Sequence, residues 1–265
     1  MKAVSNTAFF CCGIRAADYE AKESIVSDAY AGKLLGSEGK AIFQRFSAYK
    51  LESRNILMRH FLIDNAIQEF IDKYSDPLVI GIGSGLDSRS FRLNGGTWLE
   101  IDSHDLTVYK NSLLDADQCK NPLFRLKVDF SPECLKQVLS PYTDFKNVLL
   151  VMEGVNIYLD ESQQKSTLSE VASLFPRHFL ITDVMSKAFV QRYSQRFDKE
   201  VNSLGAYYQP MDNPEKPMLD LGYIKLNQKS VIEQGSGFIK KQTLKYLPDL
   251  LQGYRVVQFE LKAEN

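Results

Sequence analysis

The sequence predicts an α/β protein with a mostly parallel sheet and helices on both faces. Three observations predict it. Short, almost wholly apolar runs recur through the middle of the chain, as strands buried on both faces require. Helix-period segments separate them, which is the rhythm of strand–crossover–strand units. One run, Leu78 to Ile82, leads straight into glycines at alternate positions, Gly81, Gly83 and Gly85. A glycine turn of this kind lets the chain bend sharply from strand to helix and lets a ligand lie against the backbone.

Bulk properties set the frame. A chain of 265 residues can bury a large core. With 32 basic and 33 acidic residues the formal charge is −1, so no global field favours nucleic acid or a membrane surface. No apolar run reaches the ~18 residues needed to span a bilayer. Ala8 to Ile14 is too short for a signal peptide. Cys11, Cys12, Cys119 and Cys134 fit neither a CxxC pair nor a disulfide framework, and three scattered histidines make no metal site. The expected compartment is the reducing cytoplasm. The chain shows no internal repeat.

The first 75 residues read as helical. Ile25, Ala29, Leu34 and Leu35 surround Asp28-Ala29-Tyr30-Ala31, and from Phe43 to Tyr74 apolar residues recur at helical spacing, among them Leu57, Ile63, Ala66, Ile67 and Phe70. This region is either packing for the sheet or a lid over its edge. Arg15 and Arg59 within it are either solvated arginines or planar forks for a carboxylate.

The strand before the glycines is followed, about twenty residues on, by Thr97 to Asp102, a second buried strand ending in an acid. That is where nucleotide-binding folds place the carboxylate for ribose hydroxyls. Asp87 or Ser88 is the expected cap of a helix whose amides point back at the ligand. The dinucleotide fingerprint fails, because Leu86 or Ser88 stands where its third glycine or alanine belongs. No Gly-Lys-Ser/Thr makes a P-loop. Gly-x-Gly-x-Gly with an acid at the next strand's end is similar to the motif of class I methyltransferases, which have a Rossmann-like fold and bind S-adenosylmethionine.

Leu106 to Leu114 reads as a helix. Leu123 to Phe130 alternates as a third strand; Asp129 is either an acceptor for an adenine amino group or the cap of the helix opened by Ser131-Pro132-Glu133. Asn147 to Glu153 is a fourth strand, apolar until the glutamate at its carboxyl end, where an acid needs a partner. Asp160-Glu161-Ser162 starts another helix, and His178 to Val184 is a fifth strand. Ser186 to about Pro217 breaks the rhythm and reads as an insertion over the site, with Arg192, Tyr193, Arg196, Tyr207 and Tyr208 as candidate substrate contacts. The last strands are Tyr223 to Gln228 and Tyr254 to Leu261, with a helix or turn over Leu244 to Leu251 between them. The expected organisation is one domain over 1–265: a helical cap (1–75), a cofactor-binding core (76–185), a cap insertion (186–217) and the C-terminal strands (218–265).

An ordered set of blocks resembles the leucine carboxyl methyltransferase family, including its bacterial members associated with polyketide carboxyl methylation. Arg15-Ala16 and Asp28-Ala29-Tyr30-Ala31 resemble "RA…DPYA", with Ala29 for the usual proline. Arg59 precedes Asp64 by five residues, as in an "RTRFID"-like segment. Gly83 to Leu93 is close to "GAGLDTRAYRL", Glu100-Ile101-Asp102 to "EVD", Val128-Asp129-Phe130 to "ADL", and Glu153 to Leu159 to "EGVLMYL", with Asn156 where an apolar residue is usual. The resemblance implies a seven-stranded sheet with one antiparallel strand in its last hairpin. It implies cofactor contacts at Arg59, Gly81, Gly83, Gly85, Asp102, Asp129, Phe130 and Glu153.

The expected activity is S-adenosylmethionine-dependent O-methyl transfer to a carboxylate of a small molecule or peptide C-terminus, with no nucleic-acid or membrane partner. A carboxylate is already ionised at neutral pH and needs no general base, whereas a phenol or alcohol does. Tyr158 and Arg15 are the expected acceptor-holding, catalytic residues. Two other classes stay open: a cofactor-binding sensor or partner-binding module without catalysis, and an NAD-dependent oxidoreductase, which the glycine spacing disfavours.

Overall fold

The computed structural model describes residues 3–128, 132–235 and 247–262. Strands β1 (Pro77–Ile82), β2 (Thr97–Asp102), β3 (Leu123–Lys127), β4 (Asn147–Met152), β5 (His178–Met185), β6 (Ile224–Ser230) and β7 (Tyr254–Leu261) form one sheet in the order β3-β2-β1-β4-β5-β7-β6. Pairing is parallel from β3 through β5, and β7 runs antiparallel to both β5 and β6. Both the strand count and the single reversed strand match the sequence expectation.

Alternation along each strand divides the core in two. Leu78, Ile80 and Ile82 of β1 join Leu99 and Ile101 of β2 and Val148, Leu150 and Met152 of β4 on one face. Val79, Trp98, Leu149 and Val151 face the other way. Each such side chain contributes about 1.5–3 kcal/mol by leaving water. A one-residue slip in register would exchange the two faces wholesale.

Three helices precede the sheet: α1 (Ala3–Tyr19), α2 (Ala31–Phe46) and α3 (Lys50–Lys73). The helices divide between the two positions weighed for this region. Helix α3 packs Leu62, Ile63, Ala66, Ile67 and Phe70 against one face of the sheet. Helix α1 lies over the carboxyl edge, where Phe9 and Cys12 cluster with Leu86 and Leu106. Beyond β1 come α4 (Arg89–Arg92), α5 (His104–Leu113), α6 (Pro132–Leu139) and α7 (Glu161–Leu174). Leu135 and Leu139 of α6 and Leu168 and Val171 of α7 cover the second face. A capping box starts α7: Gln163 N–H donates to Asp160 at 2.8 Å, and Asp160 N–H donates to the Gln163 side chain at 3.0 Å.

The segment after β5 folds as α8 (Lys187–Tyr193) and α9 (Gln195–Asn202), followed by α10 (Lys216–Asp220). Helix α11 (Val231–Gln234) and a short helix, Pro248–Gly253, stand between β6 and β7. One expectation needs correcting. The helix after the glycine turn is a single turn of four residues, and Ser88 makes no side-chain cap. Asp87 takes that part, accepting from Arg89 N–H at 3.0 Å. So short a helix contributes little dipole at the crevice.

From β1 the chain builds outward through β2 to β3, then returns to place β4 on the other side of β1. Open α/β sheets bind ligands in the crevice at this switch point, outside the strands' carboxyl ends.

Candidate active site

The glycine loop is shaped by contacts on both sides. Gly83 has φ +65° and Gly85 φ +50°, a left-handed backbone that side chains disfavour. A Cβ on Gly83 would lie 2.6 Å from Val155 Cγ2, and one on Gly85 would lie 3.2 Å from Ala8 Cβ on α1. Gly81 differs: a Cβ there would make only ordinary contacts, 3.5 Å to Ser84 Cβ and 3.8 Å to the Leu99 carbonyl. Packing within the chain therefore does not require glycine at 81, which lines the crevice.

The loop is fastened to the end of β2. Gly83 and Ser84 N–H groups donate to the Ile101 carbonyl at 2.9 and 3.2 Å. Gly85 N–H donates to Asp102 Oδ2 at 2.7 Å, and Ser103 N–H to Oδ1 at 2.7 Å. Burial raises the Asp102 pKa above the usual carboxylate range, and the two amides oppose that rise. This carboxylate, fixed by backbone donors and lining the crevice, is suited to accept from a sugar diol.

Behind the loop lies a buried charge cluster. Glu153, at the end of β4, accepts from Arg59 Nε at 2.8 Å and pairs with Arg89 Nη2 at 2.6 Å. Arg59 Nη1 reaches Asp183 at 3.3 Å and Tyr254 Oη at 3.1 Å. Arg89 also binds Asp64 and, at 2.7 Å, Asp87. Arg92 donates to Asp64 at 2.8 Å. Burial pushes Glu153 upward, but the charges of Arg89 and Arg59 overcome it and hold the carboxyl well below its ordinary value. Burial and the Arg89 charge lower His60. Its ring is therefore neutral, with Nδ1 2.7 Å from Arg89 Nη2. Asp183 moves the other way, raised by burial against the opposing pull of Arg59.

A cavity of about 1520 Å³ opens along this edge. Clefts that hold one small ligand are commonly ~300–1,000 Å³, so this one has room for two reactants. Its lining takes in the glycine loop, Asp102 and Ser103, and also residues of α3, the α8–α9 segment and Tyr208. Cys11, Arg59, Tyr158 and Tyr254 line it as well. The Tyr158 and Tyr208 rings pack at 5.3 Å, tilted by 57°. Burial raises the pKa of Tyr158, Tyr208 and Tyr254 and of the Cys11 thiol.

Comparison with known proteins decides what this crevice serves. The leucine carboxyl methyltransferase family model matches residues 8–172, well over half of the chain. The chain belongs to the leucine carboxyl methyltransferase family. Its cofactor is S-adenosylmethionine and its activity methyl transfer, which displaces the NAD alternative.

Solved structures share the fold. One is a DUF574 family protein from Streptomyces avermitilis MA-4680, with TM-score 0.61, 9% identity and 97% of each chain covered. Another is the magnesium protoporphyrin IX methyltransferase of Synechocystis PCC 6803 with bound SAH, with TM-score 0.52, 16% identity, and 84% of this chain and 94% of that one covered.

Most of the residues expected from the family blocks meet in the crevice: Arg59, Gly81, Gly83, Gly85, Asp102, Glu153, Tyr158 and Arg15 all line it. Asp129 and Phe130 lie outside the described residues. Arg15 has other engagements than the expected hold on an acceptor. Its Nε donates to Asp28 at 2.9 Å and its Nη2 to the Leu86 carbonyl at 2.6 Å, so it ties the Asp28 block to the glycine loop. In the α8–α9 region Tyr193 and Tyr208 line the cavity. Arg192 instead pairs with Asp249, and Tyr207 is 61% exposed. Sequence reasoning missed His60, Asp64, Arg89 and Asp183, whose partners are distant in the chain. The one available signal was Asp183, an acid near the carboxyl end of the apolar strand β5. No helix among the described residues is long and apolar enough to cross a membrane.

Proposed function

We propose that the chain transfers the methyl group of S-adenosylmethionine to a carboxylate oxygen of a small-molecule or peptide C-terminal acceptor. One observation carries the choice of acceptor. The Tyr158, Tyr208 and Tyr254 phenols and the Cys11 thiol on the cavity lining are raised by burial and stay protonated, and the basic groups His60, Glu153 and Asp87 are each engaged by Arg89. Glu52 also lines the cavity. It stands seven residues up α3 from Arg59, about 10 Å along the axis. An acceptor that arrives ionised needs no base there.

The chain's own residues supply binding and alignment. Asp102 accepts from the ribose hydroxyls, and Gly81, Gly83 and Gly85 let the cofactor lie on the backbone. Arg59 Nε and Nη1 are committed to Glu153, Asp183 and Tyr254, while Nη2 has no carboxylate partner among the described residues. That nitrogen is placed for the cofactor's own carboxylate, with Glu153 and Asp183 fixing the guanidinium plane. Tyr158, a neutral phenol, donates to the acceptor carboxylate and orients it. Arg15 acts as a positioning residue, holding Leu86 and with it the glycine loop. When bound, the cofactor supplies an electrophilic methyl on sulfur, whose positive charge is lost as the methyl leaves. Alignment and exclusion of water account for the acceleration.

The experiment is a transfer assay with methyl-labelled donor against carboxylic acids, phenols and peptide C-termini, followed by mild alkali. Label released by alkali identifies a methyl ester and supports the reading. Label retained as an ether overturns it.

A further inference from the structure

Asn55 and Ser194 stand out on the acceptor side of the cavity. Asn55 lies on α3 one turn before Arg59, on the same face of the helix, and is only 8% exposed. Ser194 joins α8 to α9, is 7% exposed, and its hydroxyl caps neither helix. Both line the cavity. Neither side chain has a hydrogen-bond partner among the described residues, and the polar atoms of both are reached by solvent. Each thus stands on the cavity lining with no protein partner for its polar atoms.

Buried polar groups are ordinarily satisfied, because an unmet donor or acceptor in a desolvated site is costly. Apolar side chains share the lining with these two: Phe10, Ile56, Phe189 and Phe197 are each less than a tenth exposed. Arg54, the nearby cation, is exposed and donates its Nε to the Gly235 carbonyl at 2.7 Å. Two neutral polar groups on a lining shared with these aromatic side chains suit an apolar molecule that carries one neutral polar substituent. An amide both donates and accepts, as does a hydroxyl, so the matching substituent is a hydroxyl.

We propose that Asn55 and Ser194 select the acceptor, recognising a hydroxyl on an otherwise apolar aliphatic chain whose far end receives the methyl group. The identity of that end rests on the carboxylate reading above; recognition of the hydroxyl does not.

The test is calorimetric binding to the full chain loaded with S-adenosylhomocysteine. The probes are octanoate, its mono-hydroxylated isomers, and the matching octanol and octanediols. In the wild type the best hydroxylated ligand binds about tenfold more tightly than its parent, and N55A combined with S194A brings the two within twofold. Affinity for S-adenosylhomocysteine stays within twofold in the variant, which separates acceptor recognition from collapse of the site. Equal affinities in the wild type, no binding of any probe, or a preference that survives both substitutions overturns the proposal. A hydroxyl preference seen only among the alcohols supports it while sinking the carboxylate reading.

Discussion

The Gly85 amide and the Asp102 carboxylate, 17 residues apart in sequence, meet at 2.7 Å and join the glycine loop to the end of β2. The same carboxylate thus closes the loop and lines the cavity. Asp102→Ala removes both the proposed sugar contact and the tie. With charge-assisted hydrogen bonds worth ~1.5–3 kcal/mol each, cofactor affinity falls by about 100-fold. Calorimetric titration checks it, with a thermal melt to confirm folding; affinity within threefold of wild type would contradict the assignment.

Gly83→Ala meets two obstacles. The φ of +65° disfavours any side chain, and the new methyl would lie 2.6 Å from Val155 Cγ2. The strain costs about 1 kcal/mol, and the overlap adds about 1–3 kcal/mol unless Val155 moves. Pairing the change with Val155→Ala recovers the overlap but not the strain. Chemical denaturation of the single and double variants separates the two terms, and purely additive losses would exclude the contact.

Much of the fold was legible because strands buried on both faces need unbroken apolar runs. Leu78 to Ile82 and Val148 to Met152 announce the central strands, and the glycines after the first mark the ligand edge. The site was legible only where a local pattern records it. Asp102 follows the glycines at a telling distance, and Glu153 is an acid closing an apolar strand. The cluster behind them left no such trace. Arg59 and Glu153 are 94 residues apart, and Arg89 and Asp64 are 25 apart on different elements. Asn55 resembles any helix-borne asparagine until the burial of its surroundings is known. Arg15 reads in the sequence as either a solvated arginine or a free fork, because nothing local shows that Asp28 and the Leu86 carbonyl already engage it.

Glu153→Gln leaves Arg59 and Arg89 in the interior without their shared anion. Breaking a buried pair at one partner costs about 3–5 kcal/mol. The pH dependence follows in sign. The folded pKa lies well below the ordinary 4.5, so wild-type stability from this group is complete above about pH 4.5 and is lost as pH falls toward the folded value. The variant loses that share of the acid-induced decline. Urea midpoints at pH 7 and pH 3.5 check both, and an equally steep decline in the variant would place the acid sensitivity elsewhere.

His178, at the start of β5, predicts a separate window. Its Nδ1–H donates to the Phe175 carbonyl at 2.7 Å, and Nε2 accepts from Tyr223 Oη at 2.7 Å, an arrangement that needs the neutral ring. Burial lowers its pKa from 6.5 to about 4. The unfolded chain takes up the proton first, so the contribution is complete above about pH 6.5 and is lost progressively as pH falls to about 4. The full loss is about 3 kcal/mol, of which about 2 kcal/mol falls between pH 7 and pH 5, above the range in which Glu153 titrates. His178→Gln is less stable at pH 7 and less sensitive to pH over that interval. In the wild type, the His178 ring resonances stay at their neutral positions down to pH 5. A midpoint near pH 6.5 in that titration would show the ring to be as free to charge as in the unfolded chain.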